Sequence, residues 1–143
     1  MAGVPKTDWV WMDGEFVPWE DANVHILTHT LHYGFGVFEG TRAYQRSDGG
    51  TSVFRLDDHL GRLVNSAHIM LLEMEHSVEE LREASLELVA RNKLASCYLR
   101  HLVYIGQGTM GLYPGDKPAV KVSITTWPWG AYLGEEGLSK GVR

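Results

Sequence analysis

The middle of the chain constrains the fold most. Leu56, Leu60, Leu63, Ala67 and Met70 recur at intervals of three and four, the spacing of one face of an α-helix, so residues 56 to about 72 are expected to form an amphipathic helix with that stripe against a core. Ser77-Val78-Glu79-Glu80 then has the serine and glutamate of a capping box. It starts a second helix carrying Val78, Leu81, Ser85 and Leu88 on one stripe, with Asn92 as its stop. Two consecutive one-sided helices need an apolar surface to pack on, and the flanking sequence has to supply it.

Those flanks read as strands. Trp9-Val10-Trp11-Met12 and Glu15-Phe16-Val17 bracket Asp13-Gly14, the signature of a tight hairpin. Residues 24 to 33 have mixed, short helical character and run into Gly34-Phe35-Gly36, a turn feeding a strand from Val37 to Tyr44. The polar stretch Gln45 to Thr51, with Gly49-Gly50, leads into Ser52-Val53-Phe54 as a second hairpin with a longer loop. Cys97 to Gly106 and Ala119 to Thr126, rich in β-branched, tyrosine and leucine residues, are expected to be longer sheet strands. The fold class is α+β: a mostly antiparallel sheet beside two packed helices.

With 143 residues and 44% hydrophobic content, the chain has enough apolar material for one ordinary core. A net charge of -5 gives no global positive field for nucleic acid or anionic lipid. No apolar run reaches the ~18 residues of a membrane span, and the N-terminus lacks the charged-then-apolar order of a signal peptide. A single cysteine, Cys97, cannot close an intrachain disulfide, which fits a reducing, cytoplasmic location and a buried thiol. Glu135 to Lys140 resembles a turn or short helix, and Gly141-Val142-Arg143 looks like the start of a further strand.

Candidate chemistry concentrates in residues 32 to 44, HYGFGVFEGTRAY, which pack aromatic rings, glycines and one arginine into a strand entered through a turn. Alternation sends Phe38, Gly40 and Arg42 to one face and Val37, Glu39 and Thr41 to the other, so an aromatic floor, a gap and a cation share one side. Composition alone favours a plainer arrangement, with Phe38 and Tyr44 in the core and Arg42 on the surface. Tyr98 and Arg100, two apart on a strand, likewise present a hydroxyl and a cation side by side, a good carboxylate receptor. Arg62 sits on the first helix, where a solvated charge is the ordinary reading. His25, His29 and His32 fall at i, i+4 and i+7, which on a regular helix would gather three imidazoles as a zinc site does. No completing Cys or His pair follows, and the nearby glycines argue for a turn, so no metal site is assigned.

Residues 32 to 44 resemble the opening signature of the branched-chain aminotransferases, members of the fold-type IV pyridoxal-phosphate enzymes. Four further segments agree in order and spacing: Phe54-Arg55 with His59 and Arg62-Leu63; Tyr98-Leu99-Arg100; Gly108-Thr109-Met110-Gly111-Leu112; and Trp127-Pro128-Trp129-Gly130-Ala131-Tyr132-Leu133-Gly134. The resemblance runs from Trp11 to Arg143. It implies that residues 1–134 are the small N-terminal domain of such an enzyme and 135–143 the start of the connection to a second domain. D-amino-acid aminotransferases and aminodeoxychorismate lyases share that fold, but their opening motifs lack the Phe38-Glu39-Gly40 pattern with Arg42 and the Tyr98, Arg100 pair.

The resemblance also implies roles. Arg62 matches the arginine on the cofactor phosphate, where a guanidinium offers a permanent charge and a fork of donors. Tyr98 matches the tyrosine on the substrate α-carboxylate, and Arg100 the arginine on the distal carboxylate of glutamate or 2-oxoglutarate. Tyr33, Phe38, Leu112, Trp129 and Tyr132 resemble the apolar pocket for a leucine, isoleucine or valine side chain, with Gly40 and Arg42 beside it. Tyr33 and Leu112 match positions that reach a neighbouring subunit's site, which implies a homo-oligomer. The implied substrates are branched-chain amino acids, glutamate or 2-oxoglutarate, and branched 2-oxo acids, exchanged through pyridoxal 5'-phosphate. The cofactor-bonding lysine of the family lies after the segment matching 127–134, and Lys6, Lys93, Lys117, Lys121 and Lys140 do not match it. The chain is therefore expected to be inactive by itself. A binding module that kept the pocket wall without catalysis is the alternative.

Overall fold

A computed structural model of the chain describes residues 4–129 and 140–141. β1 (Trp9–Met12) and β2 (Glu15–Pro18) form the first hairpin. At its turn Asp13 and Gly14 have φ of 53° and 99°, the double positive φ of a two-residue connection. A five-residue helix, α1 (His29–Tyr33), ends on Gly34 at φ 71°, a left-handed cap suited to glycine. β3 (Gly36–Gln45) and β4 (Thr51–Val53) make the second hairpin, one residue longer at each end of β3 than the sequence predicts. α2 (Leu56–Ile69) and α3 (Val78–Arg91) follow, then β5 (Cys97–Ile105) and β6 (Val120–Trp127).

The six strands join in the order β2-β1-β6-β5-β3-β4, with every neighbouring pair antiparallel. One face of this sheet carries α2 and α3. Leu60, Leu63, Leu81 and Leu88 from the helices and Leu99, Val103, Val122 and Ile124 from the strands are buried there. The capping box forms as expected: Ser77 Oγ accepts the Glu80 N–H, and Glu80 reaches back to the Ser77 N–H at 2.7 Å. Asn92, the helix stop, also clasps the sheet. Its Oδ1 accepts the N–H of Trp9 at 2.8 Å, and its Nδ2 donates to Trp9 O and to Thr126 Oγ1, both at 2.9 Å.

Two helix details differ from expectation. α2 stops at Ile69, because Leu71 adopts φ 56° and its side chain turns to solvent. Val78, first residue of α3, stands outside the buried stripe, while Leu81, Ser85 and Leu88 keep to it. Ser85 is there for a polar reason: its hydroxyl donates to Leu81 O at 2.6 Å, and His101 Nε2 lies 2.8 Å from the same oxygen. A hydroxyl has one hydrogen, so the imidazole donates and carries its proton on Nε2. Burial drives the His101 pKa down to about 4. Cys97 is fully buried, and burial pushes its thiol up to about 11, as suits a packing residue.

The regular histidine row does not exist, since α1 begins only at His29. The three imidazoles take separate partners: His25 Nδ1 accepts the Leu27 N–H, buried His29 bonds Gly111 O, and His32 bonds Ile26 O. The expected boundary at residues 134 and 135 lies outside the described residues. No helix among them is long and apolar enough to cross a membrane.

Candidate functional site

Alternation along β3 and β5 divides chemistry from packing. Val37, Thr41 and Ala43, with Leu99, His101 and Val103, turn toward the helices, whereas Phe38, Gly40, Arg42, Tyr98 and Arg100 stand on the opposite, open face. Phe38 is 60% exposed and Tyr44 47%, so the core reading of these rings fails and the pocket-wall reading fits. Register completes the grouping. Gly40 lies opposite Arg100 and Arg42 opposite Tyr98, so all four side-chain positions meet within one patch.

Arg42, Tyr98, Arg100 and Trp129 line an open cavity of about 390 Å³. Tyr98 is packed at 5.0 Å from the Trp127 ring and 4.7 Å from the Trp129 ring. Arg100 donates from one Nη to the Tyr98 hydroxyl at 3.0 Å and lays its guanidinium 4.3 Å over Phe38, a cation–π contact worth roughly 0.5–2 kcal/mol. Arg100 Nε is buried without a hydrogen-bond acceptor among the described residues. Two guanidiniums and a hydroxyl, with no carboxylate in the lining among the described residues, make an anion receptor, and the rings give it an apolar wall.

Two positions behave differently from their sequence reading. Gly40 is not an empty gap. A Cβ built there would lie 1.8 Å from Tyr98 Oη, so the missing side chain is the seat of the tyrosine. Arg42 lines the cavity, and it also donates to Trp129 O at 3.0 Å, tying the segment after β6 to β3.

Arg62 stands on the other side of β3, with Glu39. The carboxylate accepts Arg62 Nε at 2.9 Å, one Nη at 2.8 Å and His59 Nδ1 at 2.8 Å. His59 and Arg62 are three apart on α2 and so share a helix face. The Arg62 hydrogen bond holds the Glu39 carboxyl below the usual carboxylate range against the opposing effect of burial. β4 pairs with β3 only from Ala43 to Gln45, so beside Glu39 and Gly40 the outer edge of β3 lacks a strand partner among the described residues.

Tyr33 and Leu112 are not brought to this cavity. They sit where α1 meets the loop after β5, joined through the His29 ring, which packs 4.6 Å from Tyr33 and bonds Gly111 O at 2.8 Å. The strand from Gly36 to Arg42, roughly 20 Å, separates them from the guanidinium pair. Leu112 is 85% exposed. Tyr132 lies outside the described residues. Sequence reasoning gave Glu39 and Trp127 no task beyond their place in the resemblance, and weighed His29 only for a metal site that it did not assign. The clue for Glu39 was a lone acid between pocket residues on a strand otherwise free of acids.

Comparison with known proteins agrees with this layout. The profile of the family described as Amino-transferase class IV matches residues 36–143. A branched-chain-amino-acid aminotransferase of Pseudomonas aeruginosa is 49% identical over 134 residues, covering 94% of this chain and 43% of that protein. The crystal structure of the Escherichia coli branched-chain amino acid aminotransferase superposes with a TM-score of 0.89 at 44% identity, over 92% of this chain and 43% of that one. A third branched-chain amino acid aminotransferase, solved in complex with N-(5'-phosphopyridoxyl)-L-glutamate, gives a TM-score of 0.84 at 44% identity over 90% and 42% of the two chains. The chain thus spans under half the length of the relatives it matches.

Proposed function

The chain belongs to the class IV aminotransferase family, and from that premise we propose that it forms the substrate-receiving part of a branched-chain amino-acid aminotransferase, exchanging an amino group between leucine, isoleucine or valine and 2-oxoglutarate. The observation that carries the reading is the cavity in which Arg42, Arg100 and Tyr98 meet a tryptophan wall. It offers anion donors and apolar surface together, and the reaction must accept both a dicarboxylate and a branched alkyl chain in one place.

Each residue has a physical task. Arg100 takes the distal carboxylate of glutamate through the guanidinium N–H groups that its bond to the Tyr98 hydroxyl does not use. Tyr98, seated on Gly40, holds its hydroxyl toward the α-carboxylate. Phe38 and Trp129, with Tyr132 from outside the described residues, cover a branched side chain, whose burial is worth ~1.5–3 kcal/mol. When Arg100 has no carboxylate to meet, its charge is stabilised in part by the face of the Phe38 ring, so the same pocket tolerates leucine. Arg42 pins Trp129 and so sets the wall.

The donor set also fits pyridoxal phosphate. Arg62, held by Glu39 of β3, has an exposed guanidinium that would take the phosphate, and Tyr98 and Arg100, on the opposite face of the sheet, would take the carboxylates. The molecule in the phosphopyridoxyl-glutamate complex has phosphate at one end and glutamate at the other. Pyridoxal phosphate, when bound, supplies the carbonyl and the electron sink for the exchange.

On this reading none of the lysines of these 143 residues is the amine of the exchange. Lys121 is paired with Asp13, and that hydrogen bond raises its pKa, keeping it an ammonium ion rather than a nucleophile; Lys6 is paired with Glu20. The active unit is a cytoplasmic homodimer in which Tyr33 and Leu112 serve the neighbour's pocket.

The test is a chimera joining residues 1–143 to the remaining portion of the Escherichia coli relative, assayed for glutamate formed from leucine and 2-oxoglutarate. The chain alone is expected to be silent and the chimera active, with Arg100→Met raising the KM for 2-oxoglutarate more than that for leucine. A folded chimera without transamination of any branched-chain amino acid would overturn the reading.

A further inference from the structure

Glu39 is an acid close to a site that must hold a phosphate, an electrostatic liability unless it does something in return. Its three contacts say what. The carboxylate meets Arg62 along the Nε edge, taking Nε and one Nη side-on. A guanidinium has five N–H donors in a fixed plane, so this grip leaves the Nη1 edge free of partners among the described residues and fixes where it points. The Arg62 side chain is 64% exposed and that of Glu39 12%, so the anchored edge is inside and the open edge faces outward.

His59 completes the device. Its Nδ1 lies 2.8 Å from Glu39 and 3.0 Å from an Arg62 Nη. An unprotonated Nδ1 would set a lone pair against a carboxylate oxygen, so Nδ1 carries hydrogen and donates to Glu39; the arginine contact is then two donors packed side by side on one acceptor. The His59 side chain is 19% exposed, and with Nδ1 donating it holds the carboxylate in one rotamer.

We propose that Glu39, steadied by His59, is a positioning residue that holds Arg62 by its Nε edge and turns its Nη1 edge outward to receive the cofactor's phosphate. The inference rests on the reading of Arg62 as the phosphate contact. Glu39 touches neither cofactor nor substrate. It acts by removing the rotamer freedom that a long exposed arginine otherwise loses on binding.

Charge and positioning predict opposite signs. If Glu39 acted only as a nearby negative charge, Glu39→Gln would tighten phosphate binding; if it positions Arg62, the variant weakens it. The 143-residue chain is titrated with pyridoxal phosphate and, separately, with pyridoxal, following the Arg62 Nε–H resonance by NMR. Wild type is expected to show a protected Nε–H signal before any ligand and a phosphate-dependent shift on titration. Glu39→Gln is expected to lose the protection and to bind pyridoxal phosphate about fivefold more weakly, the scale of one lost hydrogen bond, with pyridoxal unchanged. His59→Gln should give a smaller change in the same direction, and it stands in should Glu39→Gln fail to fold. Equal titration of wild type and Arg62→Met would overturn the Arg62 reading itself. Loss in Arg62→Met with equal or tighter binding in Glu39→Gln would overturn the positioning role alone.

Discussion

The two faces of the sheet are built from the same strands, residue by alternate residue, yet they obey different rules. On the helix side Leu99, Val103, Val122 and Ile124 are closed over by α2 and α3. On the open side Phe38, Tyr98, Arg100 and Trp127 leave rings and guanidiniums half-buried or exposed. The first face lowers the free energy of folding by excluding water. The second keeps cations and aromatics partly uncovered, which a fold seeking only stability would avoid and a binding surface requires.

If this division is right, substitutions on the two faces should separate stability from binding. The largest effect belongs to Leu60→Ala, with no exposure in the native chain. It is expected to lower unfolding free energy by about 3 to 4 kcal/mol in urea denaturation, and a loss below 1 would break the comparison.

Next comes His101. Its folded pKa of about 4 lies below the ordinary 6.5, so the unfolded chain binds the proton more readily. The sign follows: stability is complete above about pH 6.5, declines as pH falls, and levels off below about 4. The loss is on the order of 3 kcal/mol, and it should be missing from the pH profile of His101→Gln. A variant as acid-sensitive as wild type would contradict this.

Gly40→Ala is expected to act on the other face. Its methyl group must displace Tyr98, at a stability cost of about 1 kcal/mol, while affinity for 2-oxoglutarate falls sharply in a binding titration. A stability loss matching Leu60→Ala would mean that the open face is structural after all. The smallest effect on folding is that of Phe38→Ala, within about 1 kcal/mol, because the ring is 60% exposed and gives up chiefly its contact with Arg100.

The same contrast explains what the sequence revealed. Helix stripes, the Ser77–Glu80 capping box and the Asp13-Gly14 hairpin are local, so spacing within a few residues shows them. The separation of Phe38, Gly40 and Arg42 from Glu39 and Thr41 followed from strand alternation alone. What was hidden depends on contacts between distant residues. Gly40 makes sense only once Tyr98 lies against it, and Arg42 reaches Trp129 across 87 positions. The Glu39–Arg62 fork joins residues 23 apart through the packing of α2 on β3. The early end of α2 turned on the left-handed backbone of Leu71, which its hydrophobic character conceals.

In the proposed function the open face receives a dicarboxylate through Arg100 and Tyr98 beside a tryptophan wall. A titration of the 143-residue chain with 2-oxoglutarate, followed by quenching of tryptophan fluorescence, tests it most directly. Saturable quenching is expected in the wild type, with binding about tenfold weaker or worse in Arg100→Met, as loss of a charge-assisted pair requires. Identical curves for the two proteins, or no saturation in the wild type, would contradict it.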